Sequence, residues 1–471
     1  MTHNLLKDSL IYTSGNVVAR GLSFIMQVTV WSNLFPPDVY GQIAYCYVFI
    51  SFMAVLLPFG TDAAFMNYFV REKEKAAYLT NTMIFIVLMG LVFVGLSFLF
   101  RHNIAVLAIR SDAPKLLSLS LLILFFDILN NQGILYLRAE NRAGLSVLLM
   151  NIEIFIRFSL LLLLVTAFSN RIEYILWANV VSSCILAITL LFIMAPTFRF
   201  SSISAGTMKQ LLFFGLPFMI SGLFDRTIEL ADRRLLGYFA GDETVGLYVA
   251  CYTVAVLIRL IVYSFNAGWQ PYFLREIDRE EGRERLERIH IQTGAVFIVL
   301  WFLGSLWLPD IVRIPIGGGR HILNAAYWEG IPVIPVIMGA YVMMGLYFLQ
   351  LPGIYYRKKT GMNAVFMGSA AVVNIILNLL LIPRMGMMGA AIATASAYAV
   401  MAASIRIWNG RYSAVRQGSI KMLILIAVSA GIYLLSAGAD LSLTGKALVS
   451  VVYLTGMYLI QPLRLSSVLR K

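Results

Sequence analysis

The chain has 471 residues, of which 60% are hydrophobic and only 13% charged, and its formal net charge is +13. A bilayer core about 30 Å thick is crossed by about 20 apolar residues of helix, and a mean hydropathy of +0.81 supplies such stretches from end to end. This composition leaves no room for a soluble domain and predicts a polytopic, all-α membrane protein.

Fourteen apolar stretches of the required length follow one another along the chain. The predicted spans are Ile11–Leu34, Val39–Met66, Thr82–Phe100, Leu116–Leu137, Ala143–Ala167, Tyr174–Ala195, Leu211–Phe239, Gly246–Trp269, Thr293–Pro309, Ile331–Tyr355, Met362–Ile382, Gly386–Trp408, Met422–Ala437 and Leu443–Ile460. The polar segment Arg275–His290 is expected to be a solvated cytoplasmic helix between two spans, with Glu281 and Arg285 pairing four residues apart.

The distribution of Lys and Arg predicts the orientation of the chain. With the N-terminus inside, most of the loop Lys and Arg residues fall on the cytoplasmic side, and the even number of spans places both termini there. The positive charge then faces an anionic leaflet, so it gives no reason to expect nucleic-acid binding. Cys46, Cys184 and Cys251 lie in separate apolar spans without metal-ligand spacing. We therefore expect no bound metal.

Two segments indicate an internal duplication. Tyr40–Tyr47 and Val245–Tyr252 share Gly, Cys and Tyr at one constant offset, and each opens the second span of its half. Repeats of this kind are common in transporters. The sequence thus predicts a lobe of six helices at residues 1–195, a second at 196–409, and an additional helix pair at 410–471.

Seven arginines lie within the predicted spans or at their ends, where charge is expensive. They are Arg20, Arg157, Arg226, Arg233, Arg234, Arg259 and Arg406. An arginine at mid-bilayer costs about 2.5–3.5 kcal/mol even on insertion scales, so such residues normally face a bundle interior or an aqueous cavity. Arg20 and Arg157 lie too deep to reach water readily.

The seventh span carries the densest group of charges. At 100° per residue, one polar arc contains Asp225, Arg226, Glu229, Asp232 and Arg233. This arc lines a cavity, with Glu229 and Arg233 pairing internally, or it forms an ion-paired seam near the outer interface. Both interpretations remain open from the sequence.

Three further carboxylates lie within spans. Glu153 precedes Arg157 by one helical turn, which predicts an internal ion pair or a proton relay. Asp127 lies near mid-depth and Asp62 near a helix end. Asp127 and Asp62 are candidates for contact with a coupling ion, H⁺ or Na⁺, and no other cofactor is expected.

Several motifs resemble the Wzx-type polysaccharide and oligosaccharide-lipid flippases of the multidrug/oligosaccharidyl-lipid/polysaccharide (MOP) exporter superfamily. The motifs that carry this resemblance are Asn33–Gly41, Phe214–Pro217, Asp232–Gly237, Val245–Tyr248, Asn374–Asn378, Ile382–Pro383 and Gly386–Ala391. They cover about residues 5–410. Fourteen spans are also similar to the lipid II flippase branch.

The resemblance implies two six-helix lobes around a central cavity, plus two C-terminal transmembrane helices, in the cell inner membrane. The implied substrate is a polyprenyl-pyrophosphate-linked oligosaccharide, moved by alternating access, with Arg20, Arg157, Arg226 and Arg259 attracting its anionic head. Membrane lipids and polysaccharide polymerase or assembly proteins are the implied partners.

Two other functions remain open from the sequence. The first is a multidrug or cation antiporter of the same superfamily, although such proteins often have an acidic residue in the first span, where this chain has Arg20. The second is a membrane glycosyltransferase or polysaccharide polymerase. The longest outer loop, about residues 310–330, carries few acidic or basic groups for catalysis, and its Gly317-Gly318-Gly319 run is expected to be flexible.

Overall fold

The computed structural model of this chain describes residues 21–110, 113–168, 171–277, 279–357, 359, 361–412, 419–439 and 441–459. Over these residues, nine helices are long and apolar enough to cross a membrane, and two shorter apolar helices follow near the C-terminal end. The prediction of an all-α, polytopic membrane protein is confirmed.

Fourteen α-helices occur in the described part of the chain. They are α1 Ser32–Leu34, α2 Pro37–Leu56, α3 Thr61–Arg71, α4 Lys75–Leu99, α5 Arg101–Ile104, α6 Pro114–Ala139, α7 Ala143–Ala167, α8 Ile172–Met194, α9 Ala205–Glu276, α10 Glu280–Ile311, α11 Val333–Tyr356, α12 Met362–Tyr412, α13 Ser419–Gly438 and α14 Leu443–Leu459. Two π-helices, Ile25–Trp31 and Ala105–Ile109, and three 3₁₀ turns, Ala195–Thr197, Phe200–Ser202 and Ala325–Gly330, complete the helical elements.

Two of these helices each contain a pair of predicted spans joined at one glycine. The backbone leaves helical geometry at Gly241 in α9, with φ 88°, and at Gly386 in α12, with φ 53°. Glycine adopts such positive φ values without the steric penalty that a Cβ imposes. The predicted span boundaries near residues 240 and 384 are therefore single-residue kinks rather than loops.

The prediction of one continuous second span, Val39–Met66, is wrong. Helix α2 ends at Leu56 and α3 begins at Thr61, with Phe59 and Gly60 both at positive φ between them. A Cβ on Gly60 would meet the carbonyl oxygen of Gly215, so the break lets two backbones approach closely. Hydropathy passes over this break because the residues that form it are themselves apolar.

The ninth span also differs from its predicted form. Helix α10 runs without interruption from Glu280 to Ile311, so the cytoplasmic helix and the span are one element rather than two. The Glu281–Arg285 pair predicted on its first turns is present, with 3.2 Å between the guanidinium nitrogen and the carboxylate oxygen.

The outer loop is more ordered than expected. Strands β1 Pro315–Gly317 and β2 Arg320–His321 form an antiparallel hairpin, and all three glycines of the turn have positive φ. Asp310 pairs with Lys446 at 2.6 Å, which joins the end of α10 to the start of α14. This loop is a structured hairpin rather than a flexible glycine segment.

The chain divides into two compact units, residues 1–234 and 235–471. In the first unit α6 packs against α2, α4 and α8. Most of the apolar part of α6 is buried, whereas most of that of α7 is not. In the second unit α11 packs between α10 and α12, with 78% of its window buried. The predicted division into lobes at residues 1–195 and 196–409 and a helix pair at 410–471 stays a prediction.

Candidate functional site

Helix α7 faces mostly outward, yet it carries a buried ion pair. Arg157 Nε donates to Glu153 Oε1 at 3.1 Å, one helical turn away. Ser182 Oγ on α8 donates to the same carboxylate oxygen at 2.9 Å. The internal pair predicted from the i, i+4 spacing is therefore present, and α8 supplies its third member.

A second carboxylate in the first unit, that of Asp127, lies against α8. Ser183 Oγ donates to Asp127 Oδ1 at 2.7 Å, and Asn130 Nδ2 donates to the Ser183 carbonyl at 3.0 Å. Asn179 Nδ2 donates to the hydroxyl of Tyr47 at 3.2 Å. Four helices, α2, α6, α7 and α8, thus place polar groups together within the first unit.

Helix α8 links the two carboxylates into one polar network, which we define as Asp127, Glu153, Arg157, Asn179, Ser182 and Ser183. Asn179, Ser182 and Ser183 are buried, and Ser182 Oγ also lies 3.0 Å from the Asn179 carbonyl oxygen. Buried polar networks of this kind are stable when their members satisfy one another. The network holds two acids and one base in a membrane-spanning bundle.

The polar arc of α9 contains a second arginine–carboxylate pair. Arg226 Nη1 donates to Glu229 Oε2 at 3.1 Å, and the side chains are 34% and 7% exposed, respectively. The guanidinium is therefore accessible while its partner is nearly buried. The predicted pairing of Glu229 with Arg233 stays a prediction.

The other charges of this arc are distributed along the helix. Asp225 and Arg233 are half-buried, whereas Asp232 is fully buried and its Oδ1 accepts a hydrogen bond from the backbone N–H of Arg233 at 2.7 Å. Arg234 points elsewhere, as its position on the helical wheel indicates, and it donates to the carbonyl oxygen of Leu107. The arc is polar along its length, but its members have different surroundings.

In the second unit Arg259 lies among aromatic rings. Its guanidinium carbon is 5.1 Å from the ring centre of Tyr263 and 5.7 Å from that of Tyr341. The hydroxyl of Tyr341 lies 2.7 Å from that of Tyr252. Cation–π contact stabilises a desolvated guanidinium without neutralising its charge.

Of the two remaining site candidates, Arg20 falls outside the described residues. Asp62 occupies the first turn of α3, where the helix dipole favours a negative charge. The ion-coupling assignment for Asp62 stays a prediction.

Sequence reasoning missed the residues of α8. Their signal was present, because Asn179, Ser182 and Ser183 have the i, i+3, i+4 spacing of one helical face within a span that is otherwise apolar. Neutral polar residues are individually tolerated in spans, and only their shared face distinguishes them.

Residues 5–276 match the family described as polysaccharide biosynthesis protein, which is more than half of the chain. The chain belongs to this family. A comparison with curated protein sequences returned no match.

Solved structures with a similar fold are membrane transporters. The chain is similar to "Lipid II flippase MurJ, inward closed conformation", with a TM-score of 0.71 at 14% identity, covering 97% of each chain. It is also similar to an inward-facing multidrug resistance MATE family transporter of the MOP superfamily, with a TM-score of 0.67 at 14% identity, covering 88% of this chain and 98% of that one. The outward-facing form of such a transporter gives 0.62 at 14% identity, covering 90% and 96%.

The chain is a multi-pass membrane protein whose fold is similar to that of these transporters. Its family agrees with the Wzx-type resemblance found in the sequence. At 14% identity the structural likeness carries the fold and nothing finer.

Proposed function

We propose that this protein is a flippase that moves a polyprenyl-pyrophosphate-linked oligosaccharide from the cytoplasmic to the outer face of the cell inner membrane by alternating access. It binds and reorients its cargo without making or breaking a covalent bond. The family match and the likeness to a lipid II flippase support this class of substrate.

The observation that carries the proposal is the unequal exposure within the arginine pairs. Arg157 is 22% exposed and Glu153 only 9%, and the same order holds for Arg226 at 34% and Glu229 at 7%. In each pair the cation is the more accessible partner. An approaching anion therefore meets the guanidinium before it meets the carboxylate.

Arginine suits a pyrophosphate chemically. A guanidinium presents five N–H donors in a rigid fork and keeps its charge at any physiological pH. Arg226 donates to Glu229 through Nη1, so phosphate oxygens can be bound in addition to the carboxylate. In the second unit Arg259, whose guanidinium lies over the rings of Tyr263 and Tyr341, is a further candidate for binding the same class of anion.

We assign the coupling of transport to H⁺ or Na⁺ to the polar network. Asp127 is the carboxylate of that network without an arginine one turn away, and it receives the Ser183 hydroxyl at 2.7 Å. A carboxylate among hydroxyl and amide oxygens is suited to holding a proton or a small hard cation. Binding or release of that ion would change the net charge of the first unit by one.

The test is translocation of a fluorescent polyprenyl-pyrophosphate oligosaccharide in proteoliposomes. We expect the wild type to translocate this lipid. Arg226→Gln and Arg259→Gln should each slow translocation by at least about tenfold, equivalent to about 1.4 kcal/mol. The control Arg171→Gln, at an exposed position, should match the wild type. Unchanged transport in both correctly inserted variants would contradict the head-group role.

A parallel assay addresses the competing functions. A cationic dye is offered to the same proteoliposomes, because the chain is also similar in fold to a multidrug resistance MATE family transporter. Movement of the dye without the lipid-linked sugar would identify a drug antiporter. Formation of a glycosidic bond by the purified protein would identify an enzyme instead.

A further inference from the structure

The segment between α4 and α6 has an unusual backbone. After the short helix α5, residues Ala105–Ile109 form a π-helix, and Arg110 then adopts a positive φ of 52°. π-Helical turns are rare and frequently occur at functional sites. In the predicted orientation this segment lies on the outer face, directly where the span α4 ends.

A cleft opens against this segment within the first unit. Its volume is about 620 Å³, and it is lined by His102, Asn103, Val106, Leu107 and Arg234. Arg234 reaches across from α9 and donates to the carbonyl oxygen of Leu107, which fixes the guanidinium in the wall of the cleft. A guanidinium, an imidazole and an amide thus line one cavity, and none of its five lining side chains is a carboxylate.

Two further arginines lie at the ends of the same segment. The Arg101 guanidinium carbon lies 5.1 Å from the ring centre of Phe98, and that of Arg110 lies 5.9 Å from the ring centre of Tyr45. The nearest acidic residue along the chain, Asp112, lies outside the described residues. The described part of the segment, residues 100–110, thus carries two arginines, each beside an aromatic ring.

Exposed apolar side chains lie beside these cations. Leu99 is 75% exposed, Phe100 57%, Val106 55% and Leu107 73%. A cationic cleft next to apolar side chains, at the end of a membrane span, matches an amphiphile whose anionic head adjoins hydrocarbon chains. A free phosphate ion would use only the polar half of this surface.

We propose that this cleft binds the phosphate-bearing headgroup of a lipid in the outer leaflet. Arg234 and His102 donate hydrogen bonds to the phosphate oxygens, and the exposed apolar side chains contact the acyl chains. The site is separate from the intramembrane arginine pairs, and it does not depend on which substrate the protein transports.

The test measures equilibrium binding of lipids to the purified full-length protein in detergent. The probes are dioleoyl phosphatidic acid, dioleoylglycerol, which has the same chains without phosphate, and inorganic phosphate, which has no chains. We expect phosphatidic acid to bind at least about tenfold more tightly than either, a difference of about 1.4 kcal/mol. Inorganic phosphate binding as tightly as phosphatidic acid would overturn the assignment to a lipid.

Variants locate the binding. Arg234→Gln and His102→Asn are each expected to weaken phosphatidic acid binding by about tenfold, the loss typical of one charge-assisted contact, whereas Arg171→Gln on the same predicted face retains it. His102 is exposed, so its substitution tests the site even if Arg234→Gln does not fold. Unchanged affinity in His102→Asn would refute the site. This assay measures binding alone, so its result can be interpreted even if the proposed transport function is wrong.

Discussion

The unequal exposure of Arg226 and Glu229 gives a prediction that separates a binding role from a structural one. Replacing Arg226 with Gln removes an ion-pair partner from a carboxylate that is only 7% exposed. Breaking a buried ion pair by removing one partner typically destabilises a protein by about 3–5 kcal/mol. Since the guanidinium is 34% exposed, solvent already screens part of the pair, and we expect about 2 kcal/mol.

Replacing Glu229 with Gln has a different effect. The remaining charge is then the more accessible guanidinium, which water or an anion can solvate, so the expected loss of stability is smaller, about 1 kcal/mol or less. Removing the carboxylate also removes its competition for the guanidinium donors. We therefore expect Glu229→Gln to bind the lipid pyrophosphate about threefold to tenfold more tightly, a gain of about 0.7–1.4 kcal/mol.

The assay combines thermal unfolding in detergent with equilibrium binding of a polyprenyl-pyrophosphate lipid. The thermal midpoint is expected to fall more in Arg226→Gln than in Glu229→Gln, and to recover in the double variant, which removes both charges. Binding is expected to weaken at least about tenfold in both Arg226→Gln and the double variant. A stable double variant that binds like the wild type would refute the reasoning, because the pair would then be structural alone.

Three further changes test other parts of the molecule. Asp127→Asn is expected to remove the dependence of transport on a pH or Na⁺ gradient, measured by imposing each gradient in turn; full retention of that dependence contradicts the coupling role. Glu153→Gln removes the ion-pair partner of Arg157 on its own helix and should lower the thermal midpoint, with recovery when Arg157→Gln is added. No recovery would mean that the pair is not the source of the loss. Gly215→Ala places a Cβ 2.6 Å from the Phe59 carbonyl oxygen and should lower the thermal midpoint by several degrees. The control Gly95→Ala has open space around the added Cβ and should raise the midpoint slightly, because alanine has the higher helix propensity. Equal midpoints would refute the close approach of the two backbones.

Much of the fold followed from hydropathy, because a membrane-spanning helix requires about 20 apolar residues whatever its neighbours are. The kinks at Gly241 and Gly386 fell where separate spans were predicted. The helix break before Thr61 was not predicted from the sequence, because Phe59 and Gly60 keep the hydropathy high where the chain turns. Only the approach of a second backbone at Gly215 explains that turn, and a hydropathy window contains no information about distant contacts.

The site was predictable in part. The i, i+4 spacing identified the Glu153–Arg157 pair, since residues four apart are neighbours on a helix whatever the tertiary structure. The hydrogen bond between Asp127 and Ser183 was not predictable, because it joins residues that lie 56 positions apart in the chain and on different helices. The contact of Arg234 with Leu107 was not predictable either, because it joins residues 127 positions apart in the chain.

The pairing of intramembrane arginines with carboxylates bears on the whole proposed cycle. A carrier of an anion must also return empty, and an uncompensated guanidinium at mid-membrane costs about 2.5–3.5 kcal/mol even on insertion scales. Arg157 keeps Glu153 and Arg226 keeps Glu229 as an ion-pair partner on its own helix, so neither cation is left uncompensated when the anion is absent. The carboxylates are the less exposed members, so a pyrophosphate can take up guanidinium donors without displacing them. Removing those carboxylates would strengthen binding while making the empty site more costly to reorient, so moderate affinity is the physical consequence of a site that works in both directions.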